Sequence, residues 1–255
     1  MQESFEASGI GQNRTGQNTS PALSKEMNEA VQIAPAEVAD ASPINDVRVQ
    51  YISEADPLGS VPAATKAKGA AKGAPILAEG EGPQAFIDKL AERLAYERGG
   101  TRLYDAVIAK FTVYAGELKD VSLRDIVEIR DDEAKHAELL RDCLEQVGAD
   151  PTAQTPGADL VGIATTGFLQ AASDPRTTLA QTLQVTLAAE LVDGASWQLL
   201  ISMAEAIGQK DMADQFRGAL DRENEHLDKV RTWLETLTLQ SPAPTRKPGN
   251  KRKAN

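Results

Sequence analysis

Two stretches decide how this chain is read: Glu133-Ala-Lys-His136 and Glu223-Asn-Glu-His226. They hold both histidines of the 255-residue sequence, and each histidine stands three positions after a glutamate. With 20 glutamates in the chain, chance would place both histidines this way roughly once in 160 sequences. Positions i and i+3 leave an α-helix on one face, so each stretch predicts a carboxylate and an imidazole side by side. That pairing is half of a ligand set for two metal ions. The other half would be one glutamate from each of two further helices.

Working outward, apolar residues from position 83 onward recur at helical spacing. A first segment, about 83–111, lines up Phe86, Leu90, Leu94, Thr101, Tyr104 and Ile108. A second, about 122–147, lines up Ile126, Ile129, Leu140, Leu144 and Val147. Ser122 with Asp125 reads as its capping pair and Gly148 as its stop. A third, about 176–207, carries Leu179, Leu183, Leu187, Trp197, Ile201 and Ala204. A fourth, about 210–237, carries Met212, Phe216, Leu220, Val230, Trp233 and Leu237. Each stripe has one gap, and polar residues fill it: Glu97 in the first, Glu133 and His136 in the second, Glu190 in the third, Glu223 and His226 in the fourth. All six are predicted to face the core.

A buried, unpaired carboxylate costs several kcal/mol or takes up a proton, and four together also repel one another. Two divalent cations remove both difficulties, leaving the neutral imidazoles as further ligands. Hairpin register supports the same arrangement. If the first two segments pair antiparallel, Glu97 lies level with 133–136 when the turn is centred near 116, inside the turn-like stretch 114–120. Glu190 lies level with 223–226 when the turn is centred near 207, where Ile207-Gly208-Gln209 breaks the pattern. The two halves share a Glu then Glu-x-x-His order, with the second glutamate 36 and 33 positions after the first, as in an internal repeat. The connection 149–175 is too long for a tight turn. It is read as a crossover holding a short helix over 157–172.

Composition divides the chain into three. Residues 1–82 hold two aromatics, Phe5 and Tyr51, and show no sustained period; they are read as a largely disordered arm and linker. Residues 83–239 are the helical domain, with 16 basic and 27 acidic side chains. Residues 240–255 carry 5 basic and no acidic side chains and are read as a disordered basic tail. The acidic body suits cations and disfavours nucleic acid, so nucleic-acid contact is expected only through the tail. The single cysteine, Cys143, rules out an internal disulfide framework or a Cys-x-x-Cys metal knuckle. No secretory leader and no membrane-spanning run is read, so the expectation is a cytoplasmic protein without a membrane partner.

The set Glu97, Glu133-x-x-His136, Glu190 and Glu223-x-x-His226, in that order and with a long link between the second and third helices, resembles the ferritin-like superfamily of ferritins, bacterioferritins and rubrerythrins. The resemblance covers about 83–238. It implies an all-α fold: a four-helix bundle of two antiparallel hairpins with a long crossover. It implies two iron ions, with manganese or a mixed pair as alternatives. Glu97 and Glu190 would be terminal ligands, and Glu133 and Glu223 would bridge. It further implies reaction with O2 or H2O2 and oxidation of Fe(II) or a small reductant, of ferroxidase or peroxidase type, in iron or oxidative-stress handling. One cysteine cannot supply the four ligands of a rubredoxin module, and a Pro-rich basic tail follows the fourth helix where large ferritins have a fifth, so no 24-subunit cage is expected; a homodimer is compatible with the sequence. The alternative function is a non-enzymatic stress or interaction protein that uses the bundle as scaffold and its tails for partners. A di-metal oxygenase acting on an organic molecule is a third option.

Other residues stand near the six. Gly99-Gly100 beside Glu97 makes a costly pair inside a helix, read as close packing or as room at the metal. Asp193 follows Glu190 by three and is read as a hydrogen-bonding partner of a ligand or a solvated acid. Tyr96 and Tyr104 are read as core, with a relay of electrons or protons as the alternative. Cys143 is expected to be a buried, inert thiol, and Trp197 and Trp233 are expected in the core.

Overall fold

The computed structural model describes residues 25, 29, 42–56 and 82–239. The readings made for the rest of the arm, the linker and the tail 240–255 lie outside the described residues. The chain divides into two compact units, Met1–Pro57 and Leu58–Asn255. In the first, helix α1 (Ser42–Glu54) buries no side chain. A search for helical period misses it because its apolar residues do not share a face: Ile44, Val47 and Tyr51 point one way, Val49 and Ile52 others, and all five are exposed.

The second unit is all-α among the described residues. Helix α2 (Gly82–Tyr114) ends in a 3-10 turn, Ala115–Glu117, and is followed by α3 (Leu123–Gln146), α4 (Pro156–Ser173), α5 (Leu179–Ala206) and α6 (Lys210–Leu239). All five match segments expected from the sequence, with ends shifted by one to three residues in most cases. The caps explain the ends. Ser122 and Asp125 form the expected reciprocal capping box at the start of α3. Thr178 and Gln181 form another at the start of α5, so that helix begins at Leu179 rather than near 176. Arg176 is instead held in the preceding turn by the Asp174 carboxylate. Each such cap contributes about 1 kcal/mol. Gly148 and Gly208 take φ of 85° and 74°, the left-handed conformation that ends a helix. Across them the amide of Ala149 reaches the carbonyl of Leu144 and that of Gln209 reaches Ala204.

Helix α2 packs extensively on α3, α5 on α6, and α4 lies along α2 and α5. Two apolar clusters show how the helices run. One gathers Phe86, Leu90 and Leu94 of α2, Leu140 and Leu144 of α3, Trp197 and Ile201 of α5, and Met212 and Phe216 of α6. The other gathers Tyr104, Val107 and Phe111 of α2, Ile126 and Ile129 of α3, Leu179 and Leu183 of α5, and Val230, Trp233 and Leu237 of α6. The start of α2 therefore lies level with the end of α3, the end of α5 and the start of α6. Both hairpins are antiparallel, and α3 and α5 run the same way. The segment joining them is tied down at both ends. The Asp88 carboxylate accepts from the Gly157 amide (2.8 Å) at the start of α4, where a carboxylate also meets the positive end of the helix. Lys110 Nζ donates to the Asp174 and Thr177 carbonyls at the other end. No helix among the described residues is long and apolar enough to cross a membrane. Trp197, Trp233 and Cys143 are core residues as expected, and burial pushes the Cys143 thiol up to about 11, which keeps it protonated.

Candidate metal centre

Between the two apolar clusters lies a polar layer, and all six sequence-selected residues are in it. Glu97, Glu133, His136, Glu190, Glu223 and His226 are each at most 6 % exposed. The i, i+3 spacing puts each Glu-x-x-His pair on the inward face of α3 or α6, while α2 and α5 supply Glu97 and Glu190. His136 Nδ1 lies 2.6 Å from Glu223 Oε1 and 3.8 Å from Glu97 Oε2. His226 Nδ1 lies 3.2 Å from Glu223 Oε2 and 3.6 Å from Glu133 Oε1. Both imidazoles thus present Nδ1 to the carboxylates, and Glu223 meets both.

Three groups have ligand atoms within 4.8 Å of one another: Glu133, Glu190, Glu223 and His226; Glu97, His136 and Glu223; and Glu97, Glu133, Asp193 and Glu223. The first two groups could each hold a cation, and they share Glu223. Asp193, at 2 % exposure, is buried and belongs to the layer, which settles its sequence reading against a solvated acid.

The electrostatics would be untenable for a bare cluster. Burial, followed by the neighbouring carboxylates, drives Glu133 well above the usual carboxylate range. Burial also raises Glu97, Glu190 and Asp193, although Arg93 works against it at Glu97 and Asp193, and the Tyr104 hydroxyl does so at Glu190. Glu223 goes the other way. Burial opposes its ionisation, but the close contact of His136 and the hydrogen bond and charge of His226 outweigh burial and lower it to about 2. His136 is raised, its desolvation being outweighed by Glu223 and Glu97.

Charge and satisfaction both fit a metal pair. A sixth buried acid, Asp132, is paired outward with Arg222 and Lys135; the other five (Glu97, Glu133, Glu190, Asp193, Glu223) face one buried guanidinium, Arg93, which leaves four negative charges when all are ionised. Two divalent cations carry four positive ones. Among the buried side-chain atoms without a hydrogen-bond partner are Glu97 Oε2, His136 Nδ1, Glu190 Oε2 and Glu223 Oε1. The close approach of His136 to Glu223 is an ionic contact without hydrogen-bond alignment. Orphaned polar atoms in a core are rare and call for an explanation. Here one comes from each of the four helices, and all four belong to groups able to ligate one centre.

A surrounding shell holds these ligands. Arg93, four residues before Glu97, bonds both Glu97 and Asp193, and its guanidinium lies 4.3 Å over the Tyr96 ring. Burial disfavours the Arg93 charge, but the two carboxylates more than offset that and raise its pKa. The Tyr104 hydroxyl donates to Glu190 Oε1, which leaves Oε2 free toward the centre. Tyr96 donates to the Ala189 carbonyl at 2.7 Å. On the outer side of His226, Nε2 lies 3.4 Å from Asp132 Oδ2, and Asp132 is itself held by Arg222 and Lys135. Those partners outweigh burial and keep Asp132 ionised far below the usual range. A carboxylate behind a histidine fixes the ring and strengthens the ligand. Trp197 packs edge-on against His136, ring centroids 5.5 Å apart.

Arg93, Asp132 and Arg222 were not found in the sequence. Their signals were present. Arg93 stands at i−4 to a core-facing acid, the spacing of a helical ion pair. Asp132 and Arg222 occupy equivalent positions of the internal repeat, each just before its Glu-x-x-His, and they pair across it at 2.6 Å. Gly100 meets the reading of close packing: the Glu133 carboxylate lies where a Cβ would stand, overlapping it at Oε2 and lying 3.0 Å away at Cδ.

No curated protein and no solved structure matches the chain. The family described as a domain of unknown function (DUF892) matches residues 83–243, the whole of the helical unit that carries the centre. The chain belongs to that family.

Proposed function

We propose that residues 83–239 form a ferritin-like four-helix bundle, with α4 in the crossover between its two hairpins, and that the polar layer binds two metal ions, iron by preference and manganese or a mixed pair otherwise. The protein is then an oxidoreductase of ferroxidase or peroxidase type, which uses O2 or H2O2 to oxidise Fe(II) or a small reductant. What supports this reading is that four of the unpartnered buried atoms are carboxylate or imidazole atoms, one from each helix, in a layer whose four negative charges two divalent cations would balance.

The assignment follows the geometry. Glu190 and His226 would hold one ion, Glu97 and His136 the other, with Glu223 shared and Glu133 beside both. A bound iron pair supplies two electrons to O2 or peroxide, and oxygen-rich carboxylate ligands suit its higher charge. The chain's own residues do the rest. Arg93 pairs with Glu97 and Asp193 and works against burial in favour of their ionised forms. Tyr104 orients Glu190, and Asp132 fixes the ring of His226. The apolar clusters above and below the layer exclude water and strengthen every charge interaction within it.

The test is anaerobic loading of the metal-free full chain with Fe(II), followed by metal quantification and then by exposure to air with Fe(II) oxidation recorded. Two ions per chain and catalysed oxidation are expected, with both lost in Glu133→Ala. Fewer than one ion per chain in the wild type would end this reading.

A further inference from the structure

A cavity of about 200 Å³ lies between α2, α4 and α5. Its mouth is made by exposed residues, Arg102, Gly162 and Thr166. Its inner wall is buried and is made by Tyr96, Leu103 and Ala189, with Gly99 and Gly100 between. Gly100 is the point of contact with the polar layer. It lines the cavity, and on its other side the Glu133 carboxylate occupies the place of the missing Cβ. Only the α2 backbone separates the two. The inner wall also meets the layer through Ala189, the residue before Glu190, whose carbonyl accepts from Tyr96.

The lining has little to offer a charge. It contains no carboxylate. The hydroxyls of Thr165 and Thr166 donate to helix carbonyls at Val161 and Gly162, and that of Tyr96 to Ala189. Arg102 stands exposed at the mouth, with one nitrogen donating to the Arg98 carbonyl. The rest is Ala95, Leu103, Phe168, Leu169 and glycine. Size narrows the occupant further. An apolar cavity of roughly 150 Å³ accepts benzene or xenon, while drug-sized ligands occupy roughly 300 Å³ or more. The space fits one aromatic ring or a short aliphatic chain.

We propose that this cavity is a binding pocket for a small uncharged apolar molecule, one ring or a short chain in size, held against Gly99-Gly100 with the Glu133 carboxylate directly beyond. That such a molecule is an organic substrate of the centre rests on the metal reading given under Proposed function; that it binds does not.

The experiment separates the two. The metal-free full chain, labelled with nitrogen-15, is titrated with benzene and followed by amide chemical shifts. Saturable shifts are expected at Gly99, Gly100, Leu103, Phe168 and Leu169. Gly99→Leu fills the pocket, because a Cβ at Gly99 meets only the Thr165 hydroxyl, at 3.8 Å. Its affinity for benzene should fall about tenfold or more, as expected when most of a ring's apolar burial is lost. Gly162→Leu, whose added Cβ meets nothing within 4 Å, blocks the mouth and should do the same if Gly99→Leu does not fold. Glu190→Ala should lose metal and keep benzene. The proposal is overturned if the wild type shows no saturable shift at these residues, if the filled variants bind benzene as the wild type does, or if benzoate binds more tightly than benzene. A wild type that binds benzene but holds no metal would sink the oxidase reading and leave the pocket standing.

Discussion

Replacing Gly100 by alanine should separate folding from metal binding. In an ordinary helix interior this change stabilises by about 1 kcal/mol. At position 100 the new methyl would overlap Glu133 Oε2, with Cδ at 3.0 Å and Cγ at 3.6 Å. The backbone of α2 is held by the apolar contacts of Leu94, Leu103 and Tyr104, so the carboxylate must give way. It has to withdraw by roughly 1.3 Å or more to reach van der Waals contact. In the metal-free chain that movement is cheap, since it concerns the end of a flexible side chain and relieves repulsion among the acids. The metal-free Gly100→Ala protein should melt at or slightly above the wild-type temperature, by up to roughly 2–4 °C for a domain of this size. In the metal-loaded chain the same movement is not tolerated, because ligand distances are fixed to within about 0.2 Å. Glu133 borders both cation groups, so metal affinity should fall by about 10- to 100-fold or more, judged against losses seen when the surroundings of a ligand are altered. Calorimetric titration with Mn(II) or anaerobic Fe(II) measures it. Gly99→Ala is the control. Its added Cβ lies 3.8 Å from the Thr165 hydroxyl, an ordinary contact, and metal binding should be untouched. Wild-type affinity in Gly100→Ala, or equal losses in both variants, would refute the reasoning.

Three further outcomes follow from the same layer. The metal-free chain should be less stable at pH 8 than at pH 5: Glu97, Glu133, Glu190 and Asp193 have raised pKa values, so the stability they lend when protonated is lost as pH climbs through those values. His136, also raised, adds to the same trend, and Glu223, lowered to about 2, opposes it only below its ordinary value of 4.5. Metal should reverse the slope because ligands must shed protons to bind, so melting curves with and without metal should diverge as pH rises. Asp132→Asn removes the charged partner behind His226 and should weaken metal binding about 10- to 100-fold, as read by titration, and it should also lower metal-free melting because the ion pairs with Arg222 and Lys135 go with it. Arg93→Met leaves Glu97 and Asp193 without their cation; breaking such a buried pair costs about 3–5 kcal/mol, and the loss in chemical denaturation should be largely recovered by adding Asp193→Asn.

How much of this was legible in the sequence depends on what sets each feature. The four long helices and the short α4 are fixed by periodic burial and by local caps such as Ser122–Asp125, and both signals are written in adjacent residues. The six inward-facing polar residues were legible for a related reason. A charged residue in an otherwise apolar stripe contradicts its surroundings, and Glu97 is such a contradiction between Leu94 and Thr101. Helix α1 was not legible, since its apolar residues do not all lie on one face and none of its own side chains is buried. Arg93 was missed because a basic residue one turn from an acid usually marks a solvated ion pair. Only the packing of α2 against α5, which brings Asp193 to the same guanidinium, makes it a buried one. Asp132 carried a weaker signal still, since its partner His226 lies 94 positions away and on another helix.

The charge balance of the layer argues that these residues form one device rather than a ligand set with incidental neighbours. Without Arg93, five ionised acids would exceed two divalent cations by one charge. Without Asp193, Arg93 would leave only three negative charges for four positive ones. The two residues are meaningful together, and Arg93 bonds Asp193 and Glu97 at once. The same logic applies on the far side. Arg222 sits beside Glu223 in sequence but turns outward to Asp132, so its charge steadies the anchor of His226 and leaves Glu223 to the centre. A repeat of two identical hairpins would have placed the same residue at 132 and at 222. The pairing of an acid at one with a base at the other is what ties the two halves together across the centre, at 2.6 Å, next to the ligands each half supplies.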